Sequence, residues 1–111
     1  MSEHGIAKMQ NQVDRLIQQF GGYWPPLNML AAIIEEMGEV AREINAIEGI
    51  KPKKLQQSPL EMTEKIGEEL ADVLFSIFCM ANYFKINLNE AFQKILQKYK
   101  ERDANRYSSI S

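Results

Sequence analysis

Residues 26–48 read PLNMLAAIIEEMGEVAREINAIE, and their periodicity decides the fold. Leu27, Leu30, Ile34, Met37, Ala41 and Ile44 recur at helical spacing and form one stripe. Ile33, Val40 and Ile47 widen it. Glu35, Glu36, Glu39, Arg42 and Glu43 fill the remaining wedge. This is an amphipathic helix running from about Pro26 to about Glu48, with proline at its start, where a missing N–H costs nothing. The stripe is expected to pack; the acidic wedge is either a solvated face or one side of a carboxylate site against a second helix. So wide an apolar face suits burial against more than one neighbour, another subunit included.

Working outward, the segment before it reads as a second amphipathic helix. Ile6, Met9, Val13, Leu16, Ile17 and Phe20 follow the helical period, and Gly21-Gly22 ends it. Tyr23-Trp24-Pro25-Pro26 connects the two. Its aromatics read either as a lid over the core or as a flat surface on which a nucleobase stacks. After the central helix, Gly49 to Pro59 is a linker punctuated by Gly49, Pro52 and Pro59 and made basic by Lys51, Lys53 and Lys54. Such a charge run is either simply solvated or holds a polyphosphate tail. Ser58, Pro59 and Glu61 then form an N-cap, a first-turn proline and a capping box. The helix they start is predicted to reach about Phe84. It is polar at first and apolar on nearly every face from Val73 to Ala81. Asn87 and Glu90 announce a last helix, with Leu88, Ala91, Phe92, Ile95, Leu96 and Tyr99 as its packing stripe. Lys94, Lys98, Lys100, Arg102 and Arg106 make it the basic helix, and Tyr107 to Ser111 is expected to be a loose tail. The fold class is therefore all-α, a bundle of about four helices, in one domain spanning residues 1–111.

Composition narrows the function. A net charge of −2 argues against general binding to a nucleic-acid polymer. The longest apolar run falls far short of the ~20 residues that cross a bilayer. No signal peptide is visible, and the single cysteine, Cys79, suits a reducing cytoplasm and reads as core filler. His4 is the only histidine. That removes Glu-x-x-His di-iron sites, zinc hydrolysis and a Ser-His-Asp triad.

Two acidic clusters remain. Glu36 and Glu39 share a helical face, with Glu35 more loosely beside Glu39, and Glu69 and Asp72 repeat the spacing. Opposed across two packed helices, these carboxylates would not all stay ionised without a cation. Oxygen-only ligands select a hard ion, Mg²⁺ or Mn²⁺. The alternative is a solvated acidic face. Against it, the face of Asp72 continues through Ser76 and Cys79, with Phe75 alongside, which places Asp72 where the helix enters the interior. Lys98 and Arg102, four residues apart, read as helix-dipole partners or as a phosphate clamp.

Glu35-Glu36-x-x-Glu39 followed by Glu69-x-x-Asp72 resembles the EExxE…ExxD signature of the MazG-like all-α nucleotide pyrophosphohydrolases. The resemblance runs from about Leu27 to Arg102 and is strongest to the short single-domain type. It implies hydrolysis of a (d)NTP between the α and β phosphates to a nucleoside monophosphate and pyrophosphate, in nucleotide-pool house-cleaning. It also implies Mg²⁺ and self-association as a dimer or tetramer. Carried over by position, it implies Glu36, Glu39, Glu69 and Asp72 as metal ligands and Glu35 as an outer-shell group or water-orienting base. Lys98 and Arg102 would contact phosphate, and Trp24 and Asn82 the base or sugar. A dUTP or phosphoribosyl-ATP pyrophosphatase on the same scaffold is the nearest alternative. A non-catalytic helical module that oligomerises or binds a basic partner is the alternative from another class.

Overall fold

The computed structural model describes residues 5–49 and 58–108, with side chains through Ala104. It contains four helices in chain order: α1 Gly5–Gln19, α2 Pro26–Ile47, α3 Pro59–Tyr83 and α4 Leu88–Ser108. No strand occurs among the described residues, so the chain is all-α as its periodicity requires. The basic stretch Lys51, Lys53 and Lys54, and His4, lie outside the described residues.

The helix ends follow local chemistry. Ser58 Oγ accepts a hydrogen bond from the Glu61 backbone N–H at 3.1 Å and approaches the Glu61 carboxylate at 3.3 Å. Asn87 Oδ1 accepts from the Glu90 N–H at 3.0 Å and starts α4. Each cap satisfies a backbone donor that the first helical turn leaves over. α3 stops in a Schellman turn: the Ile86 N–H reaches the Ala81 carbonyl at 2.8 Å and the Lys85 N–H reaches Asn82 at 3.1 Å. Lys85 takes the left-handed conformation usual for glycine there, with φ 56°.

Packing is uneven. α2 and α3 form the main pair, α1 lies chiefly on α3, and α4 rests mainly on α1. A small core of Val13, Met29, Phe78 and Cys79 draws on α1, α2 and α3, with Ile6, Ile17, Tyr23, Met80 and Leu88 against it. Gln10 locks α1 to the α3–α4 turn. Its carboxamide donates to Asn82 Oδ1 (2.9 Å) and to the Ile86 carbonyl (3.0 Å) and accepts from the Leu88 N–H (3.0 Å). Asn82 Nδ2 returns a bond to the Gln10 carbonyl at 2.9 Å.

Four expectations are corrected. The stripe Leu27–Leu30–Ile34–Met37–Ala41–Ile44 is exposed, with Leu27 74% and Ile34 64% accessible. The buried face of α2 is instead Met29, Val40, Glu43 and Ala46. Glu43, assigned to the polar wedge by periodicity, is 2% exposed. The two series sit two residues out of step, roughly 200° around the helix, so only one can face α3. Asp72 itself is exposed; its face turns inward only after it, with Ser76 half-buried and Cys79 buried. The last helix continues through Tyr107 to Ser108. Its expected packing stripe also lies open, with Phe92, Ile95, Leu96 and Tyr99 all exposed.

Candidate metal and nucleotide site

The α2–α3 pair brings three of the four expected ligands together. Glu36 projects from α2, and Glu69 and Asp72 project from α3 one turn apart. One carboxylate oxygen from each lies within 4.8 Å of the other two. Glu69 is buried, Glu36 half-buried and Asp72 at the rim. Glu39, one turn beyond Glu36, instead meets Arg42 at 3.8 Å across the helix surface. Glu35 is exposed beside the cluster.

The electrostatics of the group are those of crowded acids. A hydrogen bond to Glu69 pushes the Glu36 carboxyl up to about 6. Partial burial and the negative charges of Asp72, Glu69 and Glu35 add to the rise. Two carboxyl groups in contact share a proton because two ionised ones would repel. A divalent cation removes the same repulsion. The donor set, all hard carboxylate oxygen in a span close to that of a six-coordinate ion, fits Mg²⁺ or Mn²⁺.

Two residues of this region escape sequence reading. Glu43 lies on α2 seven residues after Glu36, on the same face, and is buried. Lys65 on α3 meets Glu69 Oε1 at 3.3 Å and Glu68 Oε2 at 3.7 Å. The hydrogen bond to Glu69 raises the Lys65 pKa, helped by the charges of Glu69, Glu68 and Glu43. The signals were the seven-residue repeat from Glu36 to Glu43 and the four-residue step from Lys65 to Glu69. Both are common in solvated helices, so neither stood out.

A cavity of about 140 Å³ opens at the adjoining end of the same helix pair. α2 supplies Met29 and Ala32, α3 supplies Phe75, Ser76 and Cys79, and Ile17, Gly22, Tyr23 and Trp24 close the side. Ser76 follows Asp72 by four residues and Ala32 precedes Glu36 by four, so cavity and carboxylates are ~6 Å apart along each helix. The two connector aromatics divide the roles expected of them. Tyr23 packs on the core and donates to Asp14 Oδ1, and burial, followed by that bond, raises its hydroxyl to about 12. Trp24 stays 66% exposed on the cavity wall. Cys79 is a buried free thiol, its pKa raised by burial.

The remaining candidates lie elsewhere. Asn82 is engaged with Gln10. Lys98 and Arg102 are exposed on α4, where Arg102 stacks over Tyr99 at 4.7 Å and meets Asp103 at 3.2 Å. α4 leans mainly on α1, with Leu88 at its start against the core.

An all-α pair of helices that converges carboxylates beside a cavity offers hard-oxygen ligands for a cation, and comparison gives the family. The profile of the MazG nucleotide pyrophosphohydrolase domain matches residues 25–107. The chain belongs to that family of nucleotide pyrophosphohydrolases, hydrolases acting on acid anhydrides. It is 43% identical over 109 residues to the protein YpjD of Bacillus subtilis (strain 168), covering 97% of this chain and 95% of that one. The crystal structure of YPJD from B. subtilis superposes with a TM-score of 0.73 at 42% identity, over 89% of this chain and 96% of that one. The crystal structure of the Bacillus-conserved MazG protein, a nucleotide pyrophosphohydrolase, gives 0.71 at 40% identity, over 89% and 93%. No described helix is long and apolar enough to cross a membrane.

Proposed function

We propose that the chain cleaves nucleoside triphosphates between the α and β phosphates, releasing a nucleoside monophosphate and pyrophosphate, as a house-cleaning activity of the nucleotide pool. The observation that carries this reading is the convergence of Glu36, Glu69 and Asp72 beside an apolar cavity on the same two helices. These three residues, joined by Glu39 once it releases Arg42, hold Mg²⁺ (or Mn²⁺). When bound there, the ion would supply positive charge to offset that on the phosphoryl oxygens and would make a nearby water more acidic. Glu35, exposed at the edge of the cluster, would orient the attacking water and accept its proton. The cavity takes the base, with Trp24 stacking on one face, and its apolar walls exclude water. A base seated there leaves its phosphates over the carboxylates one turn away.

Self-association belongs to the same reading. A compact chain of this length has a radius of gyration of ~13 Å; this one has 18.0 Å. Its accessible surface is 8710 Å², against roughly 6,300 Å² for a compact monomer of its mass. The difference exceeds the ~800 Å² per partner of a standard interface. The outer stripe of α2 steps by three and four residues in strict alternation, the spacing of a helix–helix seam. A second copy, in a dimer or tetramer, covers that stripe. It also supplies the route by which Lys98 and Arg102 reach phosphates, since their own helix packs on α1.

Pyrophosphate release from a panel of canonical and modified (d)NTPs, with Mg²⁺ and with EDTA, tests the reaction. Metal-dependent pyrophosphate with NMP as co-product is the expected result. Orthophosphate with NDP would move the cut to another bond, and no release from any nucleotide would sink the enzyme reading of the site.

A further inference from the structure

Lys65 is the described cation in direct contact with a carboxylate of the Glu36–Glu69–Asp72 group. It also faces the buried Glu43 closely enough to feel its charge. Its side chain is half-buried, and its ammonium meets Glu69 Oε1 at 3.3 Å. Glu69 is thus shared between Lys65 on one side and the carboxyl of Glu36 on the other. A buried carboxylate without a partner is costly, and Glu69 is 7% exposed.

We propose that Lys65 is a resident counter-cation of the carboxylate cluster: it holds Glu69 in place while no divalent ion is bound, and it lowers the affinity for the ion that later joins Glu69. The proposal rests on the metal reading of the site. Its logic is Coulombic. The ammonium stabilises the empty cluster by pairing with an acid that would otherwise face only other acids. Once a dication occupies Glu69, the same ammonium is a like charge nearby and opposes it. Lys65 is therefore a positioning residue. It tunes how much Mg²⁺ the site needs while keeping the α2–α3 interface assembled without it. Its competitor on Glu69 is the metal, and its contact with Glu68 at 3.7 Å gives it a place to move to when the metal arrives.

The test is a Mg²⁺ titration followed by thermal unfolding and by calorimetry, on wild type, Lys65→Met and Lys65→Arg. In EDTA, Lys65→Met is expected to melt roughly 4–8 °C below wild type. Its Mg²⁺ midpoint should fall about three- to tenfold, because the opposing charge is gone. Lys65→Arg should restore both values toward wild type. Lys65→Gln, which keeps a donor for Glu69 without the charge, should also bind Mg²⁺ more tightly and serves if the Met variant does not fold. A wild type that responds to Mg²⁺ beside uncharged variants with an unchanged or raised midpoint overturns the role of Lys65 alone. A wild-type melting temperature that Mg²⁺ does not move overturns the metal reading and this proposal with it.

Discussion

The two faces of α2 invert the usual rule. The inner face, against α3, carries Glu36 and the buried Glu43 among Met29, Val40 and Ala46. The outer face carries Leu27, Leu30, Ile34, Met37 and Ile44, all exposed. Hydrophobic burial alone would turn the helix the other way, since each large aliphatic side chain removed from water is worth ~1.5–3 kcal/mol. In the self-association proposed above, a second copy would satisfy the outer face of this helix. On the inner side Glu36 hydrogen-bonds Glu69, and Lys65 lies near enough to Glu43 to feel its charge. The apolar stripe faces outward, where the proposed second copy would cover it.

The sharpest way to break the comparison is to disable the inner face alone. Glu69→Gln and Asp72→Asn should each lower turnover by about 10²-fold or more, as expected when a charge-stabilising group is lost from a hydrolytic site. The helical circular dichroism should persist, since caps and core are untouched. Glu36→Gln should behave alike. Wild-type turnover in both the Glu69 and Asp72 variants would remove the assigned site. Disabling the outer face is the next largest change. Ile34→Glu or Met37→Lys should drive the protein to monomer in size-exclusion chromatography with light scattering. Turnover should fall about tenfold or more if a neighbouring copy delivers Lys98 and Arg102. A variant that stays assembled would show that α2's outer stripe is not the seam.

Most of the fold was legible because its signals are local. Ser58 and Asn87 cap where their side chains can reach the next backbone N–H, and Pro26 and Pro59 open helices where a donor is dispensable. The pairing of Glu36 with Glu69 and Asp72 was also legible, because the repeated three-residue step places acids on one stripe of each helix. Rotation of α2 was not. Periodicity names two candidate faces, and only the partner decides between them; the face with Met29, Val40, Glu43 and Ala46 is the buried one. Burial of Glu43 follows from that rotation. The position of α4 was equally illegible, since its basic residues read as a phosphate clamp whichever helix they sit against.

Acidity sharpens the inner face further. The Glu36 carboxyl rises from the ordinary 4.5 to about 6. Between those values the folded, metal-free protein holds more protons than the unfolded chain. Its stability therefore falls as pH rises through 4.5 to 6 and flattens above. Mg²⁺ has the opposite preference, because it needs Glu36 ionised and displaces the shared proton. Its midpoint should weaken about tenfold between pH 7 and pH 5, the fraction of ionised Glu36 falling by that factor for a group titrating near 6. Calorimetry in buffers of differing ionisation heat should record proton uptake by the buffer on binding at pH 6. A midpoint independent of pH would mean that Glu36 is not a ligand.

The smallest expected effect lies away from both faces and calibrates them. Lys85 closes α3 with φ 56°, a conformation in which its β-carbon crowds the following carbonyl. The bonds from Lys85 and Ile86 back to Asn82 and Ala81 hold it there. Relief of that crowding, ~1–2 kcal/mol, is partly offset by the greater freedom glycine loses on folding. Lys85→Gly should therefore stabilise the chain by about 0.5–1 kcal/mol in denaturant titrations, while Lys85→Ala, which keeps the β-carbon, should not. Neither change touches the carboxylates or the α2 stripe. Turnover, Mg²⁺ midpoint and oligomeric state should stay at wild-type values in both, so any coupling to them would mean that the α3–α4 turn sets how α4 meets its neighbours.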